Sequence, residues 1–155
     1  MANIFDVAQY FLEEHGPMSS MKLQKLCFYA QFWSYGWLQK PLFENDFRAW
    51  TSGPVNEELY HFIKKQAYDG AVVTSDMLTD KGTAALSVDE KMIADKILYY
   101  YGHKSAEELR RSSMMEYPWI LVFGGPATGN LMTKESFLEA HQPLRKRRRC
   151  IPDTR

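Results

Sequence analysis

Between Ser20 and Lys40 the apolar side chains Leu23, Leu26, Cys27, Ala30, Trp33 and Trp37 recur at three- and four-residue steps. That period belongs to a long helix with one buried face. Ser19 or Ser20 supplies the capping hydroxyl at its start. Gly36 weakens its end, and Lys40-Pro41 terminates it.

Other helices are punctuated as clearly. Asn3 can cap a first helix whose stripe is Ile4, Val7, Ala8, Phe11 and Leu12, with Gly16-Pro17 as its stop. Ser87/Glu90 and Ser105/Glu108 each have capping-box spacing. The helix after Ser87 is expected to bury Met92, Ile93, Ile97 and Tyr100, and Gly102 ends it. Pro118 opens a short helical piece, Gly124-Gly125-Pro126 reads as a loop, and Thr133 caps a last helix through about His141. Phe47 and Ala49 alternate with Arg48 and Trp50, so residues 46–50 read as a short strand. Ser52-Gly53-Pro54 breaks it, and Pro54 opens a helix with Val55, Leu59, Phe62 and Ile63 inward. Residues 71–74 read as a second strand paired with the first. The expected fold is mainly α: one compact domain of about six helices with a two- or three-stranded β element around 46–50 and 71–74. Its span is 1–142, followed by a flexible basic tail, 143–155.

A chain of 155 residues with 45% apolar side chains can bury a core without disulfides or metal. Cys27 reads as a core thiol and Cys150 as an exposed one, with no secreted disulfide framework. No stretch has the roughly 20 apolar residues of a membrane helix. Residues 1–14 carry acids and no base, which does not suit a signal peptide. A soluble, cytoplasmic protein is expected. Net charge is zero but uneven: Arg145, Lys146, Arg147, Arg148, Arg149 and Arg155 face only Asp153 in the last eleven residues, leaving a body with net charge −5.

Enzyme chemistry has little support. His15, His61, His103 and His141 do not pair at helical spacing, and Glu58/His61 is a single Glu-x-x-His where a di-iron bundle needs two. Gly124 to Gly129 has the outer glycines of a P-loop, but Asn130 and Leu131 stand where Lys and Ser or Thr are required. No catalytic residue, metal ligand or cofactor is expected. The arginine run can contact phosphates or an acidic protein, or be a solvated end. It lacks the aromatic residues that stack on bases, so nucleic acid is the less favoured partner.

Several rarer residues stand at fixed spacing. They are Lys22-Leu23-Gln24-Lys25-Leu26 with Tyr29-Ala30, then Leu42-Phe43, Phe47-Arg48-Ala49-Trp50, Gly53-Pro54-Val55 and Leu59-Tyr60. Further on come Ser105-Ala106-Glu107-Glu108-Leu109 and Glu116-Tyr117-Pro118-Trp119. This order resembles the Panacea domain of SocA-like antitoxins and phage-associated proteins, over about residues 3–141. Where the family has T-H-x-E-x-P-W, Met114 replaces the histidine. The resemblance implies an antitoxin that neutralises a cognate protein toxin by direct binding, in one branch as an adaptor to a ClpXP-type protease. The alternative is a nucleic-acid-binding regulator, or a phage or prophage accessory protein, using the basic tail.

The motif residues also have plain structural readings. Leu23, Leu26 and Tyr29 share a helix face and suit the core, whereas Lys25 lies off it and is expected in solvent. Arg48 and Trp50 share the outer strand face, where such types favour either a hot spot or a local stack. Candidate partner-binding residues are Arg48, Trp50, Gly53, Pro54, Tyr60, Met114 and Trp119, with Arg145, Lys146, Arg147, Arg148 and Arg149 as a tail contact.

Overall fold

The computed structural model describes residues 1–68, 70–124 and 129–143. The chain runs α1 (Ile4–His15), β1 (Met18–Ser19), α2 (Ser20–Leu38), β2 (Arg48–Trp50), β3 (Gly53–Val55) and α3 (Glu57–Lys64). It continues through β4 (Val72–Val73), a 3-10 turn (Ser75–Leu78), α4 (Val88–Tyr101), α5 (Ala106–Ser113), α6 (Tyr117–Val122), β5 (Asn130–Leu131) and α7 (Lys134–Glu139). The protein is mainly α with two small antiparallel sheets.

The caps act where the sequence places them. Asn3, Ser87 and Ser105 each close a capping box, Ser19 caps α2 and Thr133 caps α7. Gln39, rather than a glycine, takes the left-handed conformation that ends α2.

Helix α2 is the centre of the molecule. Every residue from Leu23 to Phe32 is buried, because α1, α3, α4, α5 and α7 all pack around it. Aromatic rings fill the gaps: Phe28 meets Phe32, Phe47 and Phe137, and Tyr29 stacks on Tyr101 at 4.2 Å. Burial on all sides corrects the one-face expectation. Trp37, placed inward by periodicity, is exposed at the helix end, and Trp33 is half-buried.

A helix buried all round carries its polar residues into the core, where each needs a partner. Gln24 exchanges two hydrogen bonds with the Asn56 backbone, Nε2 donating to its carbonyl and Oε1 accepting from its N–H, both at 2.9 Å. Gln31 does the same one turn of loop away, donating to Phe43 O and accepting from Leu42 N, both at 2.7 Å. Lys25 Nζ donates to Pro54 O at 3.1 Å. Three side chains of α2 thus stand in for strand partners.

The β element departs from expectation in pairing. Residues 53–55 do not open a helix; they form β3, antiparallel to β2, with Ala49 opposite Pro54. Pro54 lacks a donor, and β3 is an edge strand where none is needed. Helix α3 begins only at Glu57, capped by Asn56. The strand at 72–73 pairs with β1, not β2, whose other neighbour is β5. Helix α4 buries Ile93 and Ile97 as expected, together with Ala94, but Met92 and Tyr100 face solvent. The tail with its arginine run, Cys150, and part of the 124–129 loop lie outside the described residues.

The Gln24→Leu variant leaves the buried Asn56 N–H and carbonyl without partners. It is expected to lose about 2–4 kcal/mol of stability. Urea unfolding should show a lower midpoint at unchanged slope.

Candidate functional site

The motif residues meet around the first half of α2. Gly53 has φ +101° and lies against the Lys25 stem; a Cβ there would come within 2.8 Å of Lys25 Cε and 3.2 Å of Ser113 Oγ. Glycine is required twice, by backbone conformation and by the closeness of the lysine. Lys25 is 1% exposed, not solvated as its place off the apolar stripe suggests. The Pro54 carbonyl is its hydrogen-bond acceptor, and no carboxylate among the described residues pairs with it. Burial, helped by the charge of Arg110, pushes its amine down to about 7.

Further along α2, Tyr29 Oη donates to Glu116 at 2.8 Å and lies 2.7 Å from Ser112 Oγ. Burial and the Glu116 carboxylate raise the Tyr29 phenol, which therefore stays protonated. Trp33 Nε1 donates to Tyr101 Oη at 2.7 Å, and Trp119 Nε1 donates to Trp50 O at 3.1 Å.

A cleft of about 290 Å³ opens between the start of α2, the β2–β3 hairpin and α3. Lys25 and Gln24 line it from α2, Trp50 and Val55 from the hairpin, and Tyr60, Ile63 and Lys64 from α3. Trp50 and Tyr60 meet edge to face with ring centroids 5.1 Å apart.

Of the candidate partner residues, Trp50 and Tyr60 border this cleft, while Gly53 and Pro54 are buried behind it. Trp119 is buried beneath the hairpin. Arg48 is committed within the molecule, forming an ion pair with Glu57 and donating to Gly129 O at 3.1 Å. Met114 is half-buried, its sulfur 3.2 Å from Arg110 Nη1. Among the described residues no three His, Cys, Asp or Glu side chains converge as a metal site. No described helix is long and apolar enough to cross a membrane.

Residues 23–120 match the family model described as Antitoxin SocA-like, Panacea domain. The chain belongs to this family. No curated protein and no solved structure matches it. The geometry explains why the Panacea signature has the form it has here. Lys25 of the first element holds the carbonyl of the G-P-V element, Tyr29 holds Glu116, and Trp119 of the P-W element holds the F-x-A-W strand. Elements far apart in sequence are one hydrogen-bonded unit.

A second surface carries no signature residue. Helix α4 has an outer stripe of Val88, Met92 and Tyr99, which are 86%, 38% and 77% exposed. Tyr100 stands beside Tyr99, their rings 5.0 Å apart, and Lys96 lies 5.0 Å over the Trp37 ring at the edge of the same face. The signal is visible in the sequence as a second helical spacing, 88–92–99, opposite Ile93 and Ile97.

Two outcomes check the Lys25 arrangement. Gly16 also has a positive φ, +99°, but open space around it. Gly16→Ala should cost about 1–2 kcal/mol for backbone alone, and Gly53→Ala about 1–3 kcal/mol more for the clash with Lys25. The Lys25 amine also sets a pH dependence. Its folded value lies below the ordinary 10.5, so above about pH 7 the unfolded chain holds the extra proton and stability rises with pH toward 10.5. Unfolding curves should therefore gain at most about 1.4 kcal/mol per pH unit in the native protein relative to Lys25→Met.

Proposed function

We propose that the protein is an antitoxin that neutralises a cognate protein toxin by direct binding, with the outer face of α4 as the contact. Family membership supports the class of activity. The second apolar stripe of α4 supports the surface and is the observation that carries this reading. Helix α4 already buries Ile93, Ala94 and Ile97 in the core, yet it presents Val88, Met92 and Tyr99 outward. Val88, Met92 and Tyr99, with the exposed Asp95 between the last two and a tryptophan nearby, bring methionine and aromatic residues enriched at protein interfaces to one face. Thioether and aromatic groups adapt to a partner at low conformational cost.

The signature residues supply the scaffold in this reading, and a face free of them sets specificity. Related antitoxins can then keep one fold while meeting different toxins. Hand-over of the captured toxin to a ClpXP-type protease would be a further step on the same complex. Such an antitoxin works in the cytoplasm, where its toxin is made.

Co-expression with the protein encoded beside it tests the reading. The neighbour is expected to arrest growth alone and to be harmless with this protein present. A neighbour that is harmless alone, or lethal in both cases, contradicts it. The double variant Met92→Asp/Tyr99→Asp should weaken the complex by at least about thirtyfold. Its unfolding free energy should fall by no more than about 2 kcal/mol, from the poorer helix propensity of Asp and its repulsion with Asp95, leaving the variant folded. Pull-down affinity and urea unfolding measure the two effects.

A further inference from the structure

The Lys25 side chain is buried with one acceptor and, among the described residues, no carboxylate partner, and when protonated it carries three donors. Such a group is costly unless an anion is supplied. It also lines an open cleft rather than a sealed core. We infer that the cleft between α2, the β2–β3 hairpin and α3 binds a small carboxylic acid with an apolar body, its carboxylate paired with Lys25.

The surroundings favour an anion. The described lining residues include two lysines, Lys25 and Lys64, and no carboxylate. Ser20 and Met21 bring the first turn of α2 to the rim, and that turn contains no acidic residue. The positive end of a 19-residue helix therefore borders the site with no acid in its first turn. The rest of the lining accepts an apolar body, with the Trp50 ring from the hairpin, Tyr60 and Ile63 from α3, and Ala67 just beyond that helix. A volume of about 290 Å³ is at the small end of ligand sites, close to one large side chain or a small aromatic acid. A mostly apolar lining with one buried amine matches a monoanionic carboxylate better than a phosphate, which carries nearly two negative charges at neutral pH. Burial leaves the amine poised near neutral pH, so it takes up a proton from solvent readily when a carboxylate arrives beside it. The groups around the amine are the Pro54 carbonyl and Gly53 from the hairpin, and Ser113 and Arg110 from α5. This site is separate from the outer face of α4 and stands whether or not that face meets a toxin.

Titration calorimetry on the full chain at neutral pH tests the inference with 3-phenylpropionate, its uncharged amide and inorganic phosphate. The acid should bind at least about tenfold more tightly than the amide, with phosphate weaker than the acid. Ala71→Trp keeps Lys25 in the sequence while occupying the cleft, and should abolish acid binding with circular dichroism unchanged. Lys25→Met should bring the acid down to the affinity of the amide. Acetyl-glycyl-phenylalanine and its C-terminal amide distinguish a chain terminus from a free acid as the source of the carboxylate. Equal binding of each acid and its amide overturns the inference, as does acid binding that survives in Ala71→Trp. Absence of binding by both acids at millimolar concentration does the same.

Discussion

The fold depends on polar side chains that α2 carries into the core. A helix surrounded by five others leaves no solvent for its own glutamines and lysine, and their partners are backbone groups of the segments that follow. Gln31 fixes the loop after α2 at Leu42 and Phe43, and Gln24 fixes the start of α3 at Asn56. Lys25 fixes the hairpin at Pro54. Each of these bonds contributes only modestly when made, but leaving its buried partner unmade costs more. The strength of the arrangement therefore lies in how strongly it excludes alternatives.

The consequence is a division between signature and surface. Residues 23–120 of this Panacea domain are tied together by contacts that face inward: Lys25 to Pro54, Tyr29 to Glu116, Trp119 to Trp50. Even Arg48 is occupied, by Glu57 and the Gly129 carbonyl. Among the described residues α4 carries the largest group of outward apolar side chains, Val88, Met92, Tyr99 and Tyr100, and these are outside the signature. A scaffold that closes on itself leaves such a face free to change without loss of stability.

Much of this architecture was legible in the sequence. Caps are local, so Asn3, Ser19, Ser87, Ser105 and Thr133 could be read from a few neighbouring residues. The period placed Ile4, Val7, Ala8, Phe11 and Leu12 of α1 and Leu23, Leu26, Cys27 and Ala30 of α2 in the core, but not the burial of the other faces. Pairing and burial of polar groups were not legible, because they depend on which segments meet. Gly53-Pro54-Val55 has turn composition, and only the neighbouring β2 and the Lys25 amine make it a strand. The strand at 72–73 found β1 because α1 and α2 bring Met18 beside it, not β2. Lys25 sits off the apolar stripe, and solvent is the natural expectation for it until the whole circumference of α2 is covered. The outward stripe of α4 was present as spacing, but Met92 and Tyr100 look like core residues to any reading that assumes one buried face per helix.

The central claim is that the signature forms the interior scaffold and that α4 meets the partner. Methyl NMR of labelled methionine addresses both parts in one titration with the neighbouring gene product. Met92 lies on α4, Met21 borders the cleft, and Met18 and Met132 are buried. The account predicts that the Met92 methyl shifts or broadens on complex formation while Met18, Met21 and Met132 keep their positions. An unmoved Met92 with a shifted Met21 would contradict it, because the partner would then be reading the signature-lined cleft.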